Sequence, residues 1–383
     1  MKRIIVGLFA AAVGISVLTG CGGGTAADVI KIGVNYELTG GVAAYGEASL
    51  LGIEMAVAEV NAAGGINGKQ VQIVKYDNKS EASEATTLAE KLMTSDKVIA
   101  VLGPATSGRF MATIPVANEN KVPVISGSAT ADEVTVLKDV VQEYAFRTCF
   151  NDSFQGTAMA NYASKTLGAQ SVLIIGSISS DYAKGLAENF KATFTAAGGT
   201  IVGEEAYADG DVNFDAILTR ARGLQFDAIY LPGYYTEAAL IIKAARELGI
   251  TAPIMGADGF DAPELLETAG PDALNDVYFT NHYSSLDQDP MVTKFIADFN
   301  AMYGKDPNAF HALGYDTAML VMDAIGRATE LTGEAVKNAL AETKDFPAVT
   351  GTLSIDENHN PIKDIVVITL TNGEQSSSEK ISS

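Results

Sequence analysis

The 383-residue sequence has few basic residues, with 26 lysines and arginines against 47 aspartates and glutamates. The resulting formal net charge of −21 argues against nucleic acid as a partner, because an acidic protein repels a polyanion. The acidic residues are spread along the chain, a pattern typical of a solvated surface. Three histidines, His282, His311 and His359, show no metal-ligand spacing, so we predict neither a metal site nor a cofactor.

Long apolar runs are also scarce, and the one that stands out is Ile4 to Leu18, directly after Lys2 and Arg3. At about 15 residues it is shorter than the roughly 20 that a membrane-spanning helix needs. Residues 1–20 are therefore predicted to be a cleaved export signal.

The end of this signal, Leu18-Thr19-Gly20-Cys21, resembles the bacterial lipobox. Cys21 is thus predicted to be lipidated and to anchor an extracytoplasmic protein of the bacterial cell envelope, with residues 21–27 as a glycine-rich tether. The membrane is then contacted through the lipid only. The alternative is a chance cysteine behind an ordinary signal.

Only Cys149 remains once Cys21 is lipidated, which excludes an internal disulfide. It lies in the run Phe146-Arg147-Thr148-Cys149-Phe150, whose apolar flanks favour a buried small side chain over a reactive thiol. The core must then hold by packing alone. A mature chain of about 360 residues exceeds one typical core, so two domains are expected.

An internal repeat organises the chain from Ile30 onward. Short β-branched runs alternate with amphipathic helical stretches, a pattern typical of βαβ units and hence of an α/β fold with parallel sheets. The pattern restarts after Phe146 at an offset of 130 residues, so that Val98–Gly103 matches Ala228–Gly233 and Val122–Ser128 matches Ala252–Asp258. The repeat predicts two similar lobes.

In open α/β sheets a ligand binds outside the carboxyl ends of the strands. The equivalent loops of the two lobes are therefore predicted to form the ligand site. The first lobe supplies Ala105–Gly108 and Ser128–Thr130, with hydroxyls and backbone amides. The second lobe supplies Tyr234–Glu237 and Asp258–Phe260, with aromatic rings and a carboxylate. This division suits a zwitterionic amino acid.

Particular residues can be assigned to the two charges of such a ligand. Ser107 and the amides around Thr130 can donate to its carboxylate, especially if a helix begins at Ser107. Asp258 can accept from its ammonium. Aromatic rings could wall the side-chain pocket, and the candidates are Tyr45, Tyr182 and Tyr234.

Each of these residues also fits a purely structural role. Ser107 and Thr130 could cap helices, and Asp258 before Gly259 could be a turn residue. The three tyrosines could be half-buried core. Their convergence through the repeat favours the binding site.

The sequence resembles the amino-acid-binding proteins of ABC transporters, of the Leu/Ile/Val-binding, periplasmic or lipoprotein type. The resemblance runs from Ile30 to about Thr371 and is strongest in several short stretches taken together. These are Tyr45-Gly46, Asn61 to Gly68, Ile125 to Thr130, Phe146 to Thr148, Phe154 to Gly156 and Gly256 to Gly259.

The resemblance implies two Rossmann-like lobes of a periplasmic-binding-protein type I clamshell, joined by three hinge crossings near Phe146, Val277 and Gly351. The implied division is a first lobe of 28–147 and 278–350, a second lobe of 148–277 and 351–373, and a polar tail of 374–383. The second lobe would end with strands Thr352–Ile355 and Ile365–Thr371.

The resemblance also implies residue roles and partners. Positions matching Ser107 and Thr130 hold the ligand carboxylate; a Ser128 carbonyl, the Thr130 hydroxyl and Asp258 hold the ammonium. Tyr45, Tyr182 and Tyr234 would line the cavity. A monomer would deliver a branched-chain amino acid to an ABC permease and its ATPase. The best-known members have glutamate at the position of Asp258, which makes the branched-chain preference less secure than the amino-acid class.

An enzyme and a ligand sensor are the two alternatives to a transport function. An enzyme is disfavoured because Ala63 stands where a phosphate loop needs its first glycine, Gln70 cannot serve as the magnesium hydroxyl, and no nucleophile and base pair is recognisable. A ligand-sensing clamshell for amides or other small solutes, working with a separate signalling partner, is the second alternative. The polar residues from Ser376 onward argue against a single-chain receptor.

Overall fold

The computed structural model describes residues 29–382, so the predicted signal, Cys21 and the tether lie outside the described residues. The helices of this part are α1 (Ala43–Ala62), α2 (Ala82–Lys91), α3 (Ser107–Asn120), α4 (Asp152–Lys165), α5 (Asp181–Ala196), α6 (Asp215–Ala221), α7 (Tyr235–Glu247), α8 (Pro263–Ala269), α9 (Pro290–Tyr303), α10 (Ala309–Arg327) and α11 (Gly333–Ala341). The strands are β1 (Ile30–Tyr36), β2 (Val71–Asp77), β3 (Val101–Leu102), β4 (Val124–Ser126), β5 (Val136–Leu137), β6 (Val140–Val141), β7 (Ala145–Arg147), β8 (Ser171–Ser177), β9 (Thr200–Tyr207), β10 (Ala228–Tyr230), β11 (Ile254–Gly256), β12 (Val277–Asn281), β13 (Ile365–Thr371) and β14 (Glu374–Ile381).

The first lobe is built on a five-stranded parallel sheet in the order β2-β1-β3-β4-β7. Helices cover such a sheet on both faces, so its inner strands are buried along most of their length. Strand β1 fits this rule, because six of its seven residues, Ile-Lys-Ile-Gly-Val-Asn-Tyr, are buried. The parallel arrangement brings the loops after β3 and β4 to one edge.

The second lobe is built on a seven-stranded sheet in the order β14-β13-β12-β11-β10-β8-β9. The strands from β9 to β12 run parallel, and β13 and β14 are added antiparallel. The fold is therefore the predicted α/β arrangement of two lobes with parallel sheets.

The 130-residue repeat has a structural counterpart. Strand β4 covers residues 124–126 and β11 covers residues 254–256, so the two strands are related by the same offset. Ser128 and Asp258 each follow the end of their strand by two residues. The repeat thus places them at equivalent positions in the two lobes.

The chain passes between the lobes three times, and one predicted boundary is corrected. Residues Val277–Asn281 were divided between the lobes at 277/278, but all five pair with β13 in the second sheet. The return to the first lobe therefore follows Asn281. The end of this strand, Phe279–Asn281, is buried throughout, so its sequence gives no signal for where the chain changes lobe.

The third crossing also differs from its prediction. Thr352–Ile355 is not a regular strand; Leu353 pairs with Phe346 and Ile355 with Pro361 as isolated bridges. The turn at His359 and Asn360 packs on β7 of the first lobe, where the His359 ring stacks on Phe146 at 4.0 Å. Asn360 accepts a hydrogen bond from Arg147. Tertiary contacts, not local pattern, decide the place of this segment.

The polar tail predicted for 374–383 is wrong as well. Glu374–Ile381 forms β14, which pairs with β13 at the edge of the second sheet. Most of its side chains are exposed, so the run Glu-Gln-Ser-Ser-Ser-Glu-Lys-Ile has no hydrophobic alternation from which a strand could be predicted. Backbone pairing with β13 defines the strand.

The crossings are tied together by buried polar contacts. Lys363 Nζ donates to the Thr148 carbonyl at 3.3 Å and to Thr350 Oγ1 at 2.7 Å, which links the first crossing to the third. Burial lowers the pKa of Lys363 to about 8. Cys149 is fully buried, and burial raises the pKa of its thiol to about 12, which confirms the prediction of a buried small side chain.

Helices α1 and α10 pack closely beneath the cleft. A Cβ atom at Gly52 would collide with the His311 carbonyl, and one at Gly314 with the Ser49 backbone. Glycine at both positions therefore allows the approach that brings Tyr45 and Phe310 into a stack with ring centroids 4.3 Å apart. Among residues 29–382 no helix is long and apolar enough to cross a membrane.

Candidate functional site

A small cavity lies between the carboxyl ends of the two sheets. Both lobes contribute to its wall. The lining residues are Tyr45, Ala105, Thr106, Ser107, Ser128, Tyr182, Tyr234, Asp258, Gly259 and Phe310. The structure thus brings together six of the seven residues predicted for the site and leaves out Thr130.

The first lobe presents hydroxyls and the beginning of a helix. Helix α3 begins at Ser107, and Ser107 Oγ accepts a hydrogen bond of 3.1 Å from the Ala131 amide. Ser128 Oγ donates to the Ala105 carbonyl at 2.9 Å. The first turn of an α-helix has unpaired N–H groups and a partial positive charge, so this wall favours an anion.

The loop before α3 is held from below by a buried acid. Glu37 accepts hydrogen bonds from the amides of Ala105 and Thr106, at 2.9 and 3.1 Å, and from the Thr106 hydroxyl at 2.7 Å. Charge-assisted bonds of this kind are strong in a buried setting. Glu37 therefore fixes the loop that presents Ser107 to the cavity.

Thr130 lies behind the wall. Its side chain is fully buried and its hydroxyl has no hydrogen-bond partner among the described residues. Its carbonyl accepts from the Asp152 amide at 2.9 Å and from Arg147 at 2.8 Å. Burial, with the nearby charge of Asp258, raises the pKa of the Asp152 carboxyl well above its usual range.

The second lobe presents the acid. Asp258 opens a 3₁₀ turn after β11 and is 3% exposed. Its Oδ1 accepts a 2.7 Å hydrogen bond from the Tyr182 hydroxyl, and its amide donates to Gln155 Oε1 at 3.0 Å. The Gly259 amide donates to the same Tyr182 hydroxyl at 3.0 Å. The carboxylate is held at the cavity wall from two sides.

Aromatic rings form the rest of the wall. Tyr182 and Tyr234 are stacked, with centroids 5.3 Å apart and planes at 3°. Burial, and the charge of Asp258, raises the pKa of Tyr182 well above its usual range, and burial does the same for Tyr45. Both hydroxyls therefore remain protonated donors near neutral pH. A side chain at Gly259 would come within 2.6 Å of the Gly233 carbonyl, so the turn tolerates only glycine.

The lobes touch directly across the cleft. Tyr45 Oη donates to the Gly259 carbonyl at 2.6 Å and accepts from the Tyr235 amide at 3.2 Å. Thr236 Oγ1 donates to the Gly41 carbonyl at 2.8 Å. These contacts join α1 and the turn before it in the first lobe to the turn after β11 and the start of α7 in the second, which describes a closed arrangement.

Two residues at the site were not predicted from the sequence. Phe310 forms part of the wall, and His282 lies 3.3 Å from Asp258 through its Nε2 atom. Both fall outside the 130-residue repeat, in α10 and after β12, so the comparison of loops could not find them. Gly259, Ala105 and Thr106 belong to the loops that the repeat indicated, although no role was assigned to them individually.

Two α/β lobes closed over a cavity with a carboxylate on one wall and a helix N-terminus on the other define a clamshell solute-binding protein. A family model described as periplasmic binding protein matches residues 29–375. The chain belongs to this periplasmic binding protein family, an extracytoplasmic family of the type I fold.

Curated relatives match along most of their length. The Leu/Ile/Val-binding protein BraC3 of Rhizobium johnstonii is 34% identical over 331 residues, covering 86% of this chain and 88% of the relative. A leucine-, isoleucine-, valine-, threonine- and alanine-binding protein of Pseudomonas aeruginosa is 30% identical over 335 residues, covering 87% of each.

Solved structures agree in fold. The branched-chain amino acid transporter substrate-binding protein LivJ of Streptococcus pneumoniae, in complex with isoleucine, has a TM-score of 0.88 at 42% identity, covering 92% of this chain and 99% of that one. The leucine-binding protein LivK of Thermotoga maritima has a TM-score of 0.85 at 37% identity, covering 92% and 98%. These similarities confirm the predicted family and the two-lobed type I fold.

Proposed function

We propose that the protein captures a branched-chain amino acid between its lobes and delivers it to an ABC permease. The observation that supports this most directly is Asp258, a buried carboxylate in a cavity whose other polar groups are hydroxyls and a helix N-terminus. A buried charge is costly unless it is paired. A ligand ammonium is the natural partner for this one.

The opposite wall suits the carboxylate of the same ligand. In this proposal Ser107 Oγ and the first N–H groups of α3 donate to the carboxylate oxygens, as helix N-termini do for anions. The Ser128 hydroxyl already donates to the Ala105 carbonyl, so Ser128 contributes its own carbonyl, which accepts from the ammonium together with Asp258. Thr130 adds its unpartnered hydroxyl if a small movement on binding brings it to the cavity.

The ligand side chain is assigned to the aromatic part of the wall. Tyr45, Tyr182, Tyr234 and Phe310 all line the cavity. An aliphatic side chain that packs against these rings loses its contact with water. The relatives that bind leucine, isoleucine and valine support the same ligand class.

Closure couples binding to delivery. The ligand first engages the first lobe, and the second lobe then closes to add Asp258 and Tyr234, with Tyr45 joining the lobes. A permease and its ATPase recognise the closed monomer and open it to accept the ligand. Cys21 carries the lipid that holds the protein at the membrane. No chemical step is proposed, and the ligand leaves unchanged.

A thermal-shift screen over the twenty amino acids and simple amides tests this function, since a ligand that binds only the folded state raises the melting temperature. We expect the largest shifts with leucine, isoleucine and valine. A shift with amides and none with amino acids would favour the sensing alternative. No shift with any amino acid would reject the proposal.

A further inference from the structure

Asp258 has a second partner that the proposed binding mode does not use. His282 is the first residue after β12, its side chain is fully buried, and its Nε2 atom lies 3.3 Å from Asp258 Oδ2. The Tyr182 hydroxyl occupies the other oxygen, Oδ1, at 2.7 Å. Each oxygen of the carboxylate therefore has its own protein contact.

The direction of the histidine contact follows from its chemistry. Burial lowers the pKa of His282 to about 4, so the ring is neutral near pH 7 and carries one N–H. A carboxylate oxygen accepts hydrogen bonds, so a bond to Asp258 Oδ2 places this N–H on Nε2. Nδ1 is then a bare acceptor, which agrees with its lack of a partner among the described residues.

The histidine ring is itself held in place. It stacks on Phe150 with centroids 3.6 Å apart and planes at 14°. Phe150 lies just beyond the first crossing between the lobes, and His282 begins the second. Neighbouring backbone is fixed too, because Gln155 Oε1 accepts both from the Asp258 amide at 3.0 Å and from Thr280 Oγ1 at 2.6 Å. The donor therefore has little freedom to follow a displaced carboxylate.

We propose that His282 is a positioning residue that, with Tyr182, fixes the Asp258 carboxylate in the orientation that accepts the ligand ammonium. Each carboxylate oxygen has two acceptor sites, so one on each remains for the ligand. The short aspartate side chain is thereby held at one place on the cavity wall. This inference rests on the proposed amino-acid site and names a residue that the site depends on.

Two substitutions separate this role from simple packing, because they remove different parts of the side chain. His282→Phe keeps a ring to stack on Phe150 but has no N–H to donate. His282→Gln keeps an N–H at a similar distance from the backbone but loses the ring. If His282 only packs, His282→Phe should bind leucine more tightly than His282→Gln. If His282 positions the carboxylate, His282→Gln should bind leucine more tightly.

The experiment is calorimetric titration of the purified protein and both variants with leucine, with melting temperatures measured alongside. We expect His282→Phe to weaken leucine binding about tenfold or more, and His282→Gln to stay within a few fold of the unsubstituted protein. Unchanged affinity in His282→Phe, or an equal loss in both variants, overturns the inference. If His282→Phe does not fold, retained affinity in His282→Gln supports it and lost affinity overturns it. Failure of the unsubstituted protein to bind any amino acid would instead overturn the proposed function, and this inference with it.

Discussion

The Tyr45 hydroxyl donates a 2.6 Å hydrogen bond to the carbonyl of Gly259, and the two residues belong to different lobes. The same ring forms part of the cavity wall and stacks on Phe310. Tyr45 therefore both lines the cavity and contacts the second lobe. Gly259 directly follows Asp258, so this bond also fixes the turn that presents the acid.

Replacing Tyr45 with phenylalanine should weaken ligand binding by about 1 to 3 kcal/mol, because the closed form would leave the buried Gly259 carbonyl without its partner. Calorimetry measures the loss, and small-angle scattering of the ligand-loaded protein should show a more open average shape. Tyr303→Phe is the matched control, since Tyr303 donates to the Leu51 carbonyl within the first lobe and should alter stability alone. Equal affinity in Tyr45→Phe and the unsubstituted protein would contradict this role.

Thr130→Val tests whether the unpartnered hydroxyl is kept for a ligand. The substitution preserves the shape of the side chain and removes a buried group with no partner, so the free energy of unfolding should be unchanged or higher. Amino-acid affinity should fall if the hydroxyl bonds the ligand. Chemical denaturation and calorimetry on one preparation measure both quantities. A variant that loses stability and keeps its affinity would assign Thr130 to the scaffold.

His311 should make the fold sensitive to acid. Burial lowers the pKa of His311 to about 3, so between about pH 6.5 and 3 the unfolded chain binds a proton that the folded chain does not. The free energy of unfolding therefore loses a contribution of roughly 1.4 kcal/mol per pH unit as the pH falls through this range.

The matched substitution for His311 is glutamine. His311 Nδ1 accepts from the Asn308 amide in a capping box at the start of α10, and glutamine is an ordinary residue at that position. His311→Gln should keep the cap and show a shallower loss of stability with acid than the unsubstituted protein. Urea unfolding at several pH values measures the free energy of unfolding of both proteins. The contributions of the carboxylates are the same in both, so they cancel in the difference. Parallel curves would refute the assignment.

Cys21→Ser tests the predicted anchor. Without the thiol no lipid can be attached, so the protein should leave the membrane fraction and lose incorporation of labelled palmitate. The same substitution at Cys149 is the control and should leave anchoring intact, although it places a polar group in a fully buried site and lowers stability. Membrane retention of Cys21→Ser would mean that the attachment lies elsewhere.

The sequence predicted those parts of the molecule that obey local rules or the repeat. The offset of 130 residues was enough to place Ser128 and Asp258 at equivalent strand ends. His282 and Phe310 were not predicted, because neither has a repeat partner or lies in a motif. Only the packing of β12 and α10 beside the cleft brings them to the site. Strand β14 was not predicted, because a polar edge strand has no periodic hydrophobic pattern.

In the proposed site Asp258 receives the ligand ammonium, opposite the groups of the first lobe that bind the ligand carboxylate. The direct measurement is calorimetric titration of the purified protein with leucine and with 4-methylpentanoate, which has the same carbon chain and carboxylate but no amine. Leucine should bind in a 1:1 complex, and the analogue should bind weaker by about 2 to 5 kcal/mol, because it leaves the buried Asp258 without a positively charged partner. Equal affinity for the two compounds, or preference for the one without an amine, would contradict the assigned site.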